Sequence, residues 1–600
     1  MSKVIRLPKR EQVKTADTWD LSSLYLDNDA WEKDFKKYEK LLGGFDKFRG
    51  TLAESAKQLA ACLQFDSDVD RLGDRLGTYA SLRVSENQAD SVSQAMEARM
   101  NNVYSKAAQA ASFIRPEILA IPEKKIKQYL AAKELQPWKL VLERVLRYKP
   151  YTLSQREENI LAMQSEMAGA AGHAFRQLLD ADMKFGIVKN DKGEQVELTN
   201  STFIQMLQSP NRTVRKAAFQ QYYSQFSGHE NTLAATLAGS IQKDVYYAKV
   251  RSYPSALEAA LYPDNVPTTV YDNLVSTIRK HLPKVHQYYD VRRRKMKLKD
   301  IHHYDCYVPI LTDLETKHTW AQASKVIIEA LAPLGSEYCT TLEEGLNGRW
   351  CDRYPNQGKR SGAFSSGMYD SIPYILMNYQ PTVLNDVFTL AHEAGHSMHT
   401  WYSKHNQPYQ YYGYTIFVAE VASTFNEELL NHHLMNKAKN DRQRAYLVNR
   451  EIDDIRSTIV RQTMFAEFEM QTHAMAEAGE PLTVKTLRDV YRKLLEAYFG
   501  PAFAIDDELS LECMRIPHFY RGFYVYKYAT GLSAAIALSK RVLHGGERDL
   551  QHYLNFLKGG CSQDPLDLLK GAGVDMTTPK PIETAMEYFG ELVEELDELL

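Results

Sequence analysis

The chain has 600 residues and 68.7 kDa, with 44% hydrophobic and 25% charged residues, a mix that excludes a disordered protein and allows a large buried core. Lys and Arg total 73 against 76 Asp and Glu, so the net charge of -3 creates no long-range field for nucleic acid or anionic membranes. Apolar runs are short, the start MSKVIRLPKREQVK lacks the apolar core of a signal peptide, and the 6 cysteines stand singly, so we expect a reduced, cytoplasmic protein with no nucleic-acid or membrane partner.

From about Ala30 to Leu135 apolar residues recur three and four apart, as at Leu72, Leu76, Tyr79 and Leu82, which predicts a helical bundle. Asn190-Asp191-Lys192-Gly193 between the β-prone Met183–Val188 and Gln195–Leu198 predicts a hairpin. Helical periodicity resumes from Thr213 to Met296. Composition then shifts toward Gly, Pro, Tyr and Asp between Ile301 and Tyr379, where Tyr304–Ile310 and Pro373–Asn378 read as extended. Helices return from Val383, including a long run from Tyr446 to Ala478. The acidic tail Glu591–Leu596 reads as a solvated helix face. The expectation is a mainly α fold with a small β element near the active site. It divides into an N-terminal helical domain, 1–200, with a hairpin near 183–198, and a catalytic helical domain, 201–600.

The chemistry concentrates in His392-Glu393-Ala394-Gly395-His396. Apolar residues at helical spacing precede it, so His392 and His396 share one helix face and can converge on one metal ion. Glu393 lies about 100° further round the helix, where it can reach a water beside the metal without binding the metal. With 17 His and 76 acids, chance supplies only about 0.06 such matches in a chain of this length. A buried, mutually satisfied histidine pair would leave the ionisable Glu393 unexplained.

A catalytic zinc site needs a third protein ligand and one open position. Glu420, in the apolar segment Phe417–Ser423, is the best candidate, because nothing else there would neutralise a buried carboxylate. His399 is a rival on the same face as His396, but one straight helix rarely wraps three ligands round one ion. Glu427, one heptad beyond Glu420, could accept a hydrogen bond from a ligand imidazole or be a plain surface acid. The set His, His, Glu suits one Zn2+ per chain, and Glu393 would take the proton of the attacking water and pass it to the leaving amine.

The aromatic-rich Pro517–Tyr528 reads either as a pocket wall offering His518 and tyrosines to an oxyanion or as an aromatic core helix. The Gly-rich 358–367 followed by the extended Pro373–Asn378 could pair with a peptide backbone or be an ordinary loop and strand.

These residues together resemble the M3 family of metallopeptidases, the thimet oligopeptidase relatives, and more closely its oligoendopeptidase F branch. The matching elements are Thr18–Tyr25, the run Gly358–Gly362 into Tyr374–Tyr379, HEAGHSMH at 392–399, FVAEVAST at 417–424 and IPHFYRGFYVYKYATG at 516–531. The resemblance implies a multi-helix, clamshell-like zinc-peptidase fold enclosing a deep channel, and a cytoplasmic endopeptidase cutting internal bonds of short peptides. It implies His392, His396 and Glu420 as zinc ligands, Glu393 as general base and acid, and His518 with Tyr526, rather than Tyr524 or Tyr528, as transition-state donors. Two rival readings are an exopeptidase, which would need a cation to capture a terminal carboxylate, and a peptide-binding scaffold with structural zinc.

Overall fold

The computed structural model describes residues 6–311 and 317–600, which fold as helices joined by short turns with three small sheets. Helix starts follow capping chemistry: Asp27, Ser55 and Asp90 each accept a backbone N–H at the head of Asn28–Leu42, Ala56–Glu86 and Ser91–Ala111. The chain divides into two compact units. One comprises residues 1–150, 315–433 and 538–573, the other 151–314, 434–537 and 574–600.

In the first unit the N-terminal bundle buries Trp31, Phe35, Tyr38, Leu59 and Leu76, and the same core takes in Tyr374 and Leu376. That continuity joins the bundle to a three-stranded sheet. Its central strand, Tyr374–Leu376, pairs in parallel with Cys351–Asp352 and antiparallel with the edge strand Phe364–Ser366, in register Ser365 opposite Ile375. The central strand is buried throughout, as the run Tyr-Ile-Leu requires. The extended reading of Pro373–Asn378 is thus met at Tyr374–Leu376.

Asp352 ends the outer strand and is fully buried. It is held by Lys359, with Nζ at 2.6 Å from Oδ1, and by Arg10 at 2.5 Å from Oδ2. Lys359 also donates to the carbonyls of Tyr354 and Met377 at 2.8 and 2.7 Å. A carboxylate removed from water is tolerated only with such partners.

In the second unit the hairpin forms between Ile187–Lys189 and Gln195–Glu197, with Gly193 at φ 78° in its turn. It starts later than Met183 because the preceding helix runs on through a π turn, Leu178–Asp182. The run predicted from Tyr446 to Ala478 is Asp441–Ile455 and Arg461–Glu477, joined through a π turn at Arg456–Val460. One expectation is corrected. Residues 304–310 are not a strand: the chain turns at His303–Asp305, because the buried Asp305 accepts from the His302 N–H and from Arg212 and Arg215. The acidic tail, Lys580–Leu599, has its acids on a solvated face, with Glu591, Glu594 and Glu598 exposed, and buries Leu592, Val593 and Leu596 on the other.

Replacing Lys359 by Met should leave Asp352 with Arg10 alone and lower stability by about 3–5 kcal/mol, the usual result of breaking a buried pair. A thermal melt checks this, and an unchanged midpoint would refute it.

Candidate metal centre

Two helices of the first unit build the site. The motif helix, Leu384–Asn406, carries His392, Glu393 and His396, and the ligand helix, Ile416–Asn436, carries Glu420 and Glu427. Their approach depends on Gly395. A β-carbon there would stand 2.5 Å from the Ala422 carbonyl oxygen and 2.6 Å from Ser423 Cα, closer than side-chain atoms ever come. Backbone meets backbone at this crossing, and buried Asn426 locks it by donating its amide to the Ala391 carbonyl at 3.2 Å.

The crossing lays Glu420 against both histidines. Its Oε2 lies 3.2 Å from His392 Nε2 and 3.5 Å from His396 Nε2, and the imidazole planes stand at 83°. Donors around a tetrahedral zinc with bonds of about 2.0–2.1 Å are separated by about 3.3 Å, so the three groups stand as they would around one ion. Among the described residues no other group of His, Cys, Asp and Glu converges in this way. The three side chains are only partly covered, which leaves room for a further ligand from solvent.

The second nitrogen of His392 is held as well: Nδ1 donates to Glu427 Oε1 at 2.7 Å, which leaves Nε2 as the nitrogen facing Glu420 and available to a metal. Glu427 is therefore the imidazole's partner and not a plain surface acid. Burial disfavours the His392 imidazolium, but Glu420 and Glu427, bonded to its two nitrogens, outweigh burial and hold its pKa up to about 10. Burial likewise pushes Glu420 up, and the two imidazoles pull it below the usual carboxylate range. The pocket is thus electrostatically made for positive charge.

Glu393 sits beside this group at 7% exposure. Burial raises its carboxyl above the usual range, opposed by the two imidazoles and by the Ser365 N–H of the edge strand. Ser365 Oγ also meets Ser397 Oγ of the motif helix at 2.8 Å, so strand and helix are tied next to the carboxylate.

His399 lies outside the group. It is buried, stacks on Tyr414 with ring centroids 3.7 Å apart and planes at 7°, and burial takes its pKa down to about 3. Tyr414 in turn bonds Thr400 at 2.9 Å, fastening the start of the ligand helix to the motif helix.

In the second unit His518 lies in the turn Pro517–Tyr520, and its ring groups with those of Tyr524 and Tyr528 at centroid distances of 6.2 and 6.0 Å. Tyr526 does not join them. It is fully buried against Tyr271, at a centroid distance of 5.3 Å. Sequence reasoning passed over Gly395, Asn426, Ser365 and Tyr414. The small residues Ala394-Gly395 and Ala422-Ser423 were the available signal for the crossing.

A histidine pair, a carboxylate and a buried acid on a mainly helical scaffold define a metallopeptidase. The profile of peptidase family M3 matches residues 205–588, and that of oligopeptidase F matches 117–185. The whole chain is 45% identical to oligopeptidase PepF of Bacillus subtilis, covering 89% of that protein. It is 37% identical to the group B oligopeptidase PepB of Streptococcus agalactiae, with 98% of each chain covered. The crystal structure of oligoendopeptidase-F from Enterococcus faecium superposes with a TM-score of 0.74 at 34% identity, over 95% of this chain and 99% of that one. The chain belongs to peptidase family M3, in its oligopeptidase F branch, and is a metalloendopeptidase. Peptidases of this family are in general zinc enzymes, and the His-His-Glu group has the donor chemistry for that metal. No helix among the described residues is long and apolar enough to cross a membrane.

Glu427→Ala should weaken zinc binding about 10–100-fold, since a ligand loses the group that orients it. Gly395→Ala should weaken it as well by pushing Glu420 away. Competition with a chromophoric chelator measures both, and wild-type affinity in either variant would contradict the geometry described.

Proposed function

We propose that this chain is a zinc-dependent oligoendopeptidase that hydrolyses internal bonds of short peptides in the cytoplasm. The observation that carries the reading is the convergence of His392, His396 and Glu420 within ligand distance, with the buried Glu393 beside them. These three residues would hold one Zn2+, which when bound polarises the substrate carbonyl and lowers the pKa of water.

The residues of the chain do the rest. Glu393 takes a proton from the attacking water and delivers it to the leaving amine, a role suited to a carboxyl that burial has lifted toward neutrality. Glu427 keeps His392 in the tautomer that offers Nε2 to the metal. The edge strand Phe364–Ser366 offers backbone groups to which an extended peptide can pair, and its Ser365 N–H already orients Glu393.

His518 supplies an N–H to the oxyanion as a neutral imidazole, because burial and the nearby Arg521 lower its pKa. For its partner tyrosine the ring cluster favours Tyr524 or Tyr528 over Tyr526, whose ring lies in the core of its unit. Restriction to short peptides is supported by the names of the relatives, which are oligopeptidases over their full lengths. A cytoplasmic location is supported by 6 cysteines that are all free.

Glu393→Gln should keep full zinc content and lose about 10²–10⁴-fold in kcat on an internally quenched peptide. A metal-loaded variant with near-normal turnover would remove Glu393 from the mechanism. Mass spectrometry of a digested nonapeptide should show internal cuts, and stepwise loss of C-terminal residues would favour an exopeptidase. Of the three tyrosine-to-phenylalanine variants, Tyr526→Phe should keep kcat, whereas the donor among Tyr524 and Tyr528 should lower kcat and kcat/KM together.

A further inference from the structure

The second unit contains a buried acid that the mechanism above does not use. Glu469, on the helix Arg461–Glu477, is 2% exposed and has no cation within ion-pairing distance among the described residues. Its Oε1 accepts the backbone N–H of Phe523 at 3.0 Å, and its Oε2 is buried with no hydrogen-bond partner among the described residues. A bare carboxylate is expensive in such a place, so the position calls for a specific role.

What Glu469 touches is a strained turn. Phe523 has φ 57°, a left-handed backbone that a bulky side chain disfavours. It lies in the reversal between the His518 turn, Pro517–Tyr520, and the helix Tyr526–His544. The reversal is clamped from one side. The Phe523 ring packs on His473, at a centroid distance of 4.4 Å, and on Tyr271, at 5.9 Å. His473 is itself held, since Nδ1 donates to the Glu469 carbonyl at 2.8 Å and Nε2 faces Asp244 at 3.4 Å. A β-carbon at Gly522 would lie 2.6 Å from Asp244 Oδ2, so this carboxylate would have to shift to admit one.

The conformation at Phe523 decides the direction in which the chain leaves the His518 turn. A right-handed Phe523 would rotate Tyr524 away from His518 and from the guanidinium of Arg521, which lies 4.0 Å over the Tyr524 ring. One hydrogen bond from a buried acid and the packing of one buried ring thus hold the Phe523 turn from which Tyr524 leaves.

We propose that Glu469 is a positioning residue for the cluster of His518, Tyr524 and Tyr528, its buried carboxyl holding the left-handed Phe523 turn that sets where the cluster's donors point. The inference rests on the reading of that cluster as oxyanion donors. Burial lifts the Glu469 carboxyl well above the usual carboxylate range, with only the Phe523 N–H opposing. The Phe523 N–H needs only an acceptor oxygen, and an amide of the same shape offers one.

Steady-state kinetics on zinc-loaded full-length variants test this. Glu469→Gln keeps the acceptor and should hold kcat within about threefold, whereas Glu469→Leu removes it and should lower kcat about tenfold with KM within about twofold and zinc content unchanged. A loss beyond about tenfold in the glutamine variant would overturn the proposal, since the carboxyl would then be needed as an acid. So would an unchanged kcat in the leucine variant, or in Glu469→Met should the leucine variant fail to fold. His518→Ala separates this from the underlying reading. If it leaves kcat intact, the cluster is not the oxyanion donor and the proposal falls with that reading. If it lowers kcat, adding Glu469→Leu should cost little more, and a full multiplicative loss would overturn the positioning role alone.

Discussion

The candidate metal centre depends on one contact between backbones. Because Gly395 presents no β-carbon, the motif helix can lie against Ala422 and Ser423, and only at that separation does the Glu420 carboxylate reach Nε2 of both histidines. Everything nearby holds the crossing in place. Asn426 bonds the Ala391 carbonyl one residue before His392, Tyr414 stacks on His399 one turn beyond His396, and Ser365 joins Ser397 on the side of the edge strand. The histidines themselves contribute little to this packing. They stand where two helices, braced elsewhere, leave three donors facing one point.

Among the described residues, several buried carboxylates differ in what faces them. Asp305, Asp352 and Glu512 are fully buried but each meets a cation: Arg212 and Arg215, Arg10 and Lys359, Arg461 and Arg515 respectively. These pairs act as structural anchors. Glu393 and Glu469 are buried with no arginine or lysine beside them, and burial lifts both. One of them stands next to the candidate metal ligands His392, His396 and Glu420. The other accepts the N–H of the left-handed Phe523.

Errors of reading had identifiable causes. Residues 304–310 have the composition of a strand, but Asp305 lies among them and two arginines from far along the chain bury it, which bends the backbone into a turn. The deciding partners are remote in sequence, so local composition carried no trace of them. Tyr526 illustrates a different limit. In Tyr524-Val525-Tyr526-Lys527-Tyr528 the tyrosines alternate, and which of them turns toward His518 depends on where the helix begins and on the backbone at Phe523.

The sequence by itself determined the class of fold and which residues could serve as metal ligands. His392, Glu393 and His396 owe their relation to the period of a helix, which is a local property, and apolar spacing marks helices wherever the chain repeats it. Glu420 was also legible, since an acid within an apolar helix demands a counter-charge. Tertiary structure alone decided how the ligand helices cross, which acid steadies His392, that His399 stacks rather than ligates, and which rings gather about His518. Those facts depend on distances between segments far apart in the chain. Such distances are set by packing and by backbone conformations such as that of Phe523, to which no short-range periodicity is sensitive.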